Sequence, residues 1–545
     1  MASELSGWSL EQKIGQLFIC GFHSLEADEQ IKTLVGDYHV GGTVYFRRNV
    51  ESVPQLAALS ASLQSLPRER PEIPLLIAID QEGGMVARLD HEGMSRIPGN
   101  MALGAAGDPA LTEAVAELAA KEMLALGINF NFAPCVDVNN NPANPVIGVR
   151  SFGEDPEKVA EHGVAAIRGY QEAGVIATAK HFPGHGDTAV DSHRGLAVVP
   201  HGKERLNEVE LLPFRKAIAS GVDAIMTAHV IFPAFEPGEI PATLSSRVLT
   251  GLLREELGYD GVIVTDCLEM HAISKSCGIA EGAVRAIEAG ADLVLVSHTL
   301  AEQTAAIEAV IGAVRSGRIS EARIDRSAAR VLALKAKRIG AAAGSGAAAS
   351  APAVPLTPPG ESSALLNKVA ERSVTLVKDA GGLPLNCAEP VLVIWPELRH
   401  RTEVDEPAVH RYTLADALRP YGSGAVLSVI GTHPTDDEIK AVIEQSAAFG
   451  QIVAVTYTAE GDIPAGQSRL IEALNHIHGR KLIVVSSRNP YDLNAFGDIE
   501  NYLCIYENRS FSLDALSKVL TGGIAPQGSL PVSLNAQYPA GYFAR

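Results

Sequence analysis

Eight short apolar runs punctuate residues 16–297, and each is continuous rather than alternating: QLFICGF, GGTVYFRR, PLLIAIDQEGG, INFNFAPCVDV, VIATAKHFPGHGD, AIMTAHVIF, GVIVTDCLEM and LVLVS. A strand with one wet face reads as strict alternation, so unbroken runs describe strands buried on both faces, the setting of a parallel sheet covered by helices. The stretches between them, PALTEAVAELAAKEMLALG for example, have helical periodicity. Eight strand and helix units in roughly 250 residues or more are what a TIM-type (β/α)8 barrel requires. Five of the runs also end on residues able to do chemistry: Asp80, Asp137, Lys180 with His181, His229, and Asp266. In a barrel those carboxyl ends converge on one mouth. An open doubly wound sheet also places residues at strand ends, and from pattern alone it is the alternative.

Past the last run the composition changes abruptly. GAAAGSGAAASAPAVPLTPPG, residues 340–360, consists mostly of small residues and proline and reads as a linker. It divides a catalytic domain of residues 1–339 from a second domain of residues 361–545. The second domain resumes the alternation of helix and strand through TLVKD, VLVIWP, AVLSVIG, IVAVTYT, KLIVVSSR and NYLCIYE, which predicts a smaller, largely parallel α/β sandwich. Its strand ends gather no comparable set of acids and histidines. The expectation is a packing or substrate-rim domain without catalytic residues of its own.

Composition narrows the partners. With 46% hydrophobic and 20% charged residues the chain of 545 is globular and long enough for two or three domains. A net charge of -19 argues against nucleic acid, whose binding needs Lys and Arg to displace counterions from phosphate. The six cysteines are scattered without C-x-x-C spacing and read as buried thiols. The N-terminal residues MASELSGWSLEQKIGQLFICGF carry acids where a secretory leader has positive charge, so the expected location is cytoplasmic, and no run approaches the roughly 18 apolar residues of a membrane span.

Chemistry concentrates in KHFPGHGDTAVDSH, which holds Lys180, His181, His185, Asp187, Asp191 and His193 in fourteen residues. Pro183, Gly184 and Gly186 break regular structure directly after the strand, so a mobile loop over the mouth is expected. One reading is a polar loop hydrogen-bonded to itself, although its density of acids and histidines is unusual. A metal site is another, but barrel sites of that kind draw ligands from several strand ends and commonly open on a His-x-His, whereas QLFICGFHSLE offers only His23. The third reading is acid/base catalysis, with Asp191 orienting the imidazole of His193 as a carboxylate does in a serine triad. No G-x-S-x-G elbow accompanies it, so a nucleophilic serine is not implied.

Together with IDQEGG, NPVIGVRSFGEDP and VTDCLEM, this segment resembles glycoside hydrolase family 3, in its bacterial-type β-N-acetylglucosaminidase branch. The resemblance covers the whole first domain with its motifs in order, and extends weakly to GGIAPQGSLPVSL in the second. It implies a TIM-type barrel followed by an α/β sandwich. It implies Asp266 as a nucleophile forming a glycosyl-enzyme, His193 as acid/base with Asp191 as its partner, and Asp80, Arg88, Arg150, Lys180 and His181 as sugar-binding residues. Taken alone, Asp266 could equally cap a helix near Leu268, and Arg88 could be a surface ion pair. Two positions depart from the pattern: Cys267 stands where many relatives have a second acid, and Met85 where arginine is frequent.

The function so implied is release of terminal β-linked N-acetylglucosamine from chito-oligosaccharides or peptidoglycan fragments with net retention and without metal or organic cofactor. Substrate assistance by the acetamido group would need paired adjacent carboxylates, which the VTDCLEM motif lacks. A second outcome is phosphorolysis. A neutral histidine, unlike a glutamate, would not repel an incoming phosphate, and Lys180 and Arg150 could attract one. Outside enzymology the rival is a carbohydrate-binding relative without activity.

Overall fold

The computed structural model describes Leu5 and residues 7–189, 195–340, 354–397, 412–422, 424–459 and 461–544. All eight apolar runs of the first half become strands: Phe18–Cys20, Gly42–Tyr45, Leu76–Ile79, Phe130–Asn131, Ile176–Phe182, Ala224–Thr227, Val262–Cys267 and Leu293–Val296. They pair in parallel, each with the next, and the eighth closes on the first with Val294 opposite Phe18. The barrel is therefore closed, and the open-sheet alternative is excluded.

The continuous apolar pattern has its cause in this closure. Ile19, Val44, Leu76, Ala78, Phe130, Ile176, Ala224, Val262, Val264 and Leu293 fill the barrel interior, while their neighbours Phe18, Cys20, Ile77, Ile79, Ile225 and Ile263 pack outward against the helices. Both faces of each strand are dry, and each fully buried aliphatic side chain contributes roughly 1.5–3 kcal/mol of burial. Helix starts are written locally. Asp108 before Pro109 and Asp155 before Pro156 accept backbone N–H groups of helices Pro109–Ala125 and Pro156–Ala173, the preferred pairing of a capping carboxylate with proline at the first helical position. Helix Glu321–Arg338 ends the barrel domain and sends Val331 and Leu334 into the interior cluster.

Helix Pro359–Ser373 leads into a six-stranded sheet whose order is Thr375–Lys378, Tyr502–Cys504, Leu482–Ser486, Gln451–Thr456, Val391–Glu397, Val426–Gly431. Only the first of these pairs antiparallel. Separate apolar clusters cover the two faces of the sheet, so the second domain is the expected α/β sandwich. Of the proposed linker 340–360, residues 341–353 lie outside the described residues. All six cysteines are free thiols; Cys20, Cys135 and Cys504 are buried and the other three half-buried. No helix among the described residues is long and apolar enough to cross a membrane.

Candidate active site

At the carboxyl ends of the strands lies an open cavity of about 590 Å³ whose walls include Asp80, Arg88, Arg150, Lys180, His181 and Asp266. Six residues singled out from the sequence thus meet in one place. The other two, Asp191 and His193, lie outside the described residues. The six arrive from five separate segments. Asp80 directly follows the third strand, Lys180 and His181 belong to the fifth, and Asp266 to the seventh. Arg150 closes the short helical turn Gly148–Arg150, and Arg88 follows a hairpin that pairs Gln81–Gly83 with Val86–Ala87.

A residue not anticipated organises this group. Glu82 accepts two hydrogen bonds from Arg150, Nε to Oε2 at 2.9 Å and Nη2 to Oε1 at 2.8 Å, and a third contact from Lys180 Nζ at 2.7 Å. Lys180 also donates to Asp80 Oδ1 at 2.8 Å, and Arg88 Nη2 stands 4.0 Å from Asp80 Oδ2. Burial works against the charge on Glu82, but Arg150 and Lys180 outweigh it and hold its carboxyl well below the usual range. Burial likewise opposes charge on Lys180, and Asp80 and Glu82 raise it above an ordinary lysine. The result is a pre-built array of charged donors and acceptors on the cavity wall. Removing one partner of a buried ion pair costs about 3–5 kcal/mol. Glu82→Ala should therefore lower the unfolding free energy by that order in urea titrations, and an unchanged midpoint would show that the pair is not a structural element.

The histidine beside Lys180 is fixed by Asp137. That carboxylate accepts His181 Nδ1 at 2.7 Å, the His181 amide at 3.2 Å and the His185 amide at 2.7 Å. Arg150 Nη2 lies 3.4 Å from His181 Nε2. A guanidinium only donates, so Nε2 is the acceptor and the ring proton sits on Nδ1, held by Asp137. Burial pushes the Asp137 carboxyl up, but His181 and the His185 amide reverse this and bring it from 3.8 down to about 2. A carboxylate with a depressed folded value stabilises fully above its unfolded value and loses that contribution as pH falls through the folded one. Asp137→Asn should therefore be less stable than wild type at neutral pH, with the gap closing between about pH 4 and pH 2. Thermal melts across that range are the check, and a gap independent of pH would contradict it.

Asp137 also corrects the expectation of a mobile loop for residues 183–189. His181, His185 and Thr188 are buried, and Asn144 Nδ2 donates to the carbonyls of His185 and Gly186, each at 2.9 Å. Gly186 passes so close to the preceding loop that a Cβ would stand 1.7 Å from the Val138 carbonyl oxygen. The first half of the segment is clamped to the barrel because its backbone hydrogen bonds end on buried side chains.

Asp266 does not cap a helix. Its Oδ1 accepts the Cys267 amide at 2.7 Å, and the next helix starts at His271 without a side-chain cap. His229 Nε2 donates to the Cys267 carbonyl at 3.0 Å and so fixes the strand end that carries Asp266. Nor is Arg88 a surface ion pair: its side chain is 11% exposed, and the guanidinium lies 6.0 Å from the centre of the Phe46 ring. Glu269, unassigned from the sequence, also lines the cavity and accepts the backbone amides of Ser297, His298 and Thr299 at 2.7, 2.6 and 3.1 Å. It serves as a clamp between the seventh and eighth strand ends. Of the residues the sequence reading missed, Glu82 carried a usable signal, since it stands two positions after Asp80 and residues two apart in an extended segment share a face.

Two sets of potential metal ligands occur among the described residues, Cys135 with Asp137 and His181, and Cys267 with Glu269 and His298. In the first, Asp137 is taken by His181 and His185. In the second, Glu269 is taken by three amides, and burial lifts the Cys267 thiol to about 12. The donor sets are committed to hydrogen bonds within the protein.

Residues 9–334 match the model of the glycosyl hydrolase family 3 N-terminal domain. The chain is 34% identical over 554 residues to β-hexosaminidase A of Pseudoalteromonas piscicida, covering 93% of this chain and 91% of that one. It is 30% identical over 550 residues to a β-N-acetylglucosaminidase/β-glucosidase of Cellulomonas fimi, covering 96% and 93%. Among solved structures, a glycoside hydrolase family 3 β-N-acetylglucosaminidase from Paenibacillus sp. str. FPU-7 superposes with a TM-score of 0.93 at 52% identity, covering 97% of this chain and 99% of that one.

Proposed function

The chain belongs to glycosyl hydrolase family 3, and from that premise we propose that it is a retaining exo-β-N-acetylglucosaminidase working through a covalent glycosyl-enzyme on Asp266. The observation that carries this reading is the meeting of Asp266 in one cavity with the array of Asp80, Glu82, Arg150 and Lys180. The array supplies charged hydrogen-bonding groups at fixed separations, which suits a ring of sugar hydroxyls, and Asp266 supplies a carboxylate on a strand end held by His229. The 52% identity to a β-N-acetylglucosaminidase supports N-acetylglucosamine as the sugar.

In the first step an Asp266 oxygen forms a bond to the anomeric carbon as the bond to the leaving oxygen breaks, and His193, oriented by Asp191, gives that oxygen its proton. Water then attacks the same carbon, the ester to Asp266 breaks, and His193 takes the water proton. Two inversions give net retention. The roles of Asp191 and His193 rest on the D-S-H motif. The leaving group is an oligosaccharide remainder, from chitin-type chains or from peptidoglycan fragments, since both present the same terminal sugar.

Water is the acceptor this reading favours over phosphate. Lys180 and Arg150 are already committed to Asp80 and Glu82, which leaves them little net charge to offer an anion. The test is product analysis on chitobiose and on an N-acetylglucosaminyl-anhydromuramic acid fragment, in buffer with and without phosphate. Free N-acetylglucosamine from either, first released as the β-anomer, is the expected result. The α-anomer would overturn retention, and N-acetylglucosamine 1-phosphate would make the protein a phosphorylase.

A further inference from the structure

The second domain reaches the cavity wall from behind. Its last strand runs into Tyr506, a bulky residue at φ 62°, in the left-handed region that such residues rarely take. The ring is buried and its hydroxyl donates to Thr375 Oγ1 at 2.8 Å, so the turn is held by its own domain. That turn aims the next residues at the barrel. Glu507 Oε2 accepts the Gly99 amide at 2.9 Å. Arg509 donates to the Gly84 carbonyl through Nη2 and to Asp90 Oδ2 through Nη1 at 2.5 Å. Asp90 is buried and also faces Arg96 at 3.3 Å, and Arg96 in turn donates to Ser510 Oγ at 3.0 Å.

The barrel residues so gripped, Gly84, Asp90 and Gly99, bracket the segment that starts from Asp80 and Glu82 and carries Arg88. Gly99 also precedes helix Asn100–Ala106, whose first residue donates through Nδ2 to the Arg150 carbonyl at 2.7 Å. Gly84 and Gly99 touch: a Cβ on Gly84 would stand 2.7 Å from Gly99 Cα and 3.3 Å from Glu507 Oε2. No side chain separates the grip from the loop it holds. A separate contact, Glu154 with the Ser533 amide at 2.8 Å, ties down the loop after Arg150.

We propose that Arg509 and Glu507 are positioning residues of the second domain, setting the placement of the Asp80, Glu82, Arg88 and Arg150 array without touching substrate. The inference rests on the sugar-binding reading of that array given above. A loop let go at Gly84 and Asp90 displaces groups that hold the sugar in both ground and transition states, and loss of such uniform binding raises KM with little change in kcat. A displacement of about 1 Å is worth up to about 100-fold in kcat/KM.

The experiment is steady-state hydrolysis of an aryl N-acetyl-β-glucosaminide, with calorimetric binding of N-acetylglucosamine, by wild type, Arg509→Ala, Arg509→Lys and the control Arg480→Ala. Arg480 is exposed in the same domain and pairs with Glu500. Arg509→Ala should show a KM at least about 10-fold higher with kcat within about threefold, weaker sugar binding, and partial recovery in millimolar guanidinium. Arg509→Lys keeps the charge facing Asp90 but has no second nitrogen for Gly84, so it covers the case in which the alanine variant does not fold. It should show a smaller KM rise and faster amide exchange confined to residues 83–99. Arg480→Ala should match wild type. An active wild type with both Arg509 variants unchanged in KM, or affected only in kcat, overturns the inference alone. A wild type that neither hydrolyses the glycoside nor binds the sugar sinks the functional reading and the inference together.

Discussion

Replacing Asp266 by alanine should leave a folded protein that still binds N-acetylglucosamine but turns over on the order of 10⁴- to 10⁶-fold more slowly, the scale on which loss of a catalytic nucleophile is felt. The fold should survive although Asp266, which is half-buried, accepts the neighbouring Cys267 amide. The strand that carries it is fixed independently, by the ladder to its neighbours and by His229. The alanine side chain also leaves room for a small anion. Azide should therefore restore part of the rate and yield the α-glycosyl azide, since attack from the vacated side inverts the anomeric carbon once. Unchanged turnover, or a β-azide, would remove Asp266 from the chemistry.

His193→Ala is expected to show the second large effect, and one that depends on substrate. General acid catalysis contributes roughly 10²- to 10⁴-fold, but only where the leaving oxygen needs a proton. Chitobiose hydrolysis should fall by that order while a dinitrophenyl glycoside loses far less in its first step. Asp191→Ala should follow the same pattern, because an imidazole without its orienting carboxylate is a poor acid. Equal losses on both substrates would make His193 a structural residue.

The fold was legible because its cause is local and repeated. Each barrel strand is buried on both faces, so each wrote an unbroken apolar run, and all six runs of the second half likewise became strands. The residues at the mouth were legible for a related reason: strand ends converge, so Asp80, Lys180, His181 and Asp266 could be assigned to one cavity before any distance was known. What did not show was pairing across loops. Nothing in NFAPCVDV says that Asp137 will receive the amides of His181 and His185, and the glycines of KHFPGHGD suggested mobility where Gly186 instead permits contact with Val138. Glu269 drew no assignment from the sequence, because its role as acceptor of three amides depends on the eighth strand lying beside the seventh. The contribution of the second domain was hidden most completely. Arg509 and Gly84 are 425 residues apart in sequence, and no periodicity records a contact of that range.

The measurement that bears most directly on the central claim is trapping of the intermediate. A slow fluorinated N-acetylglucosaminide, incubated with the wild-type protein and followed by peptide mass mapping, should add one sugar to the peptide containing VTDCLEM, on Asp266. Absence of that adduct from the Asp266→Asn variant would complete the assignment. A label on Glu269, Asp80 or any other carboxylate of the wild type would contradict it.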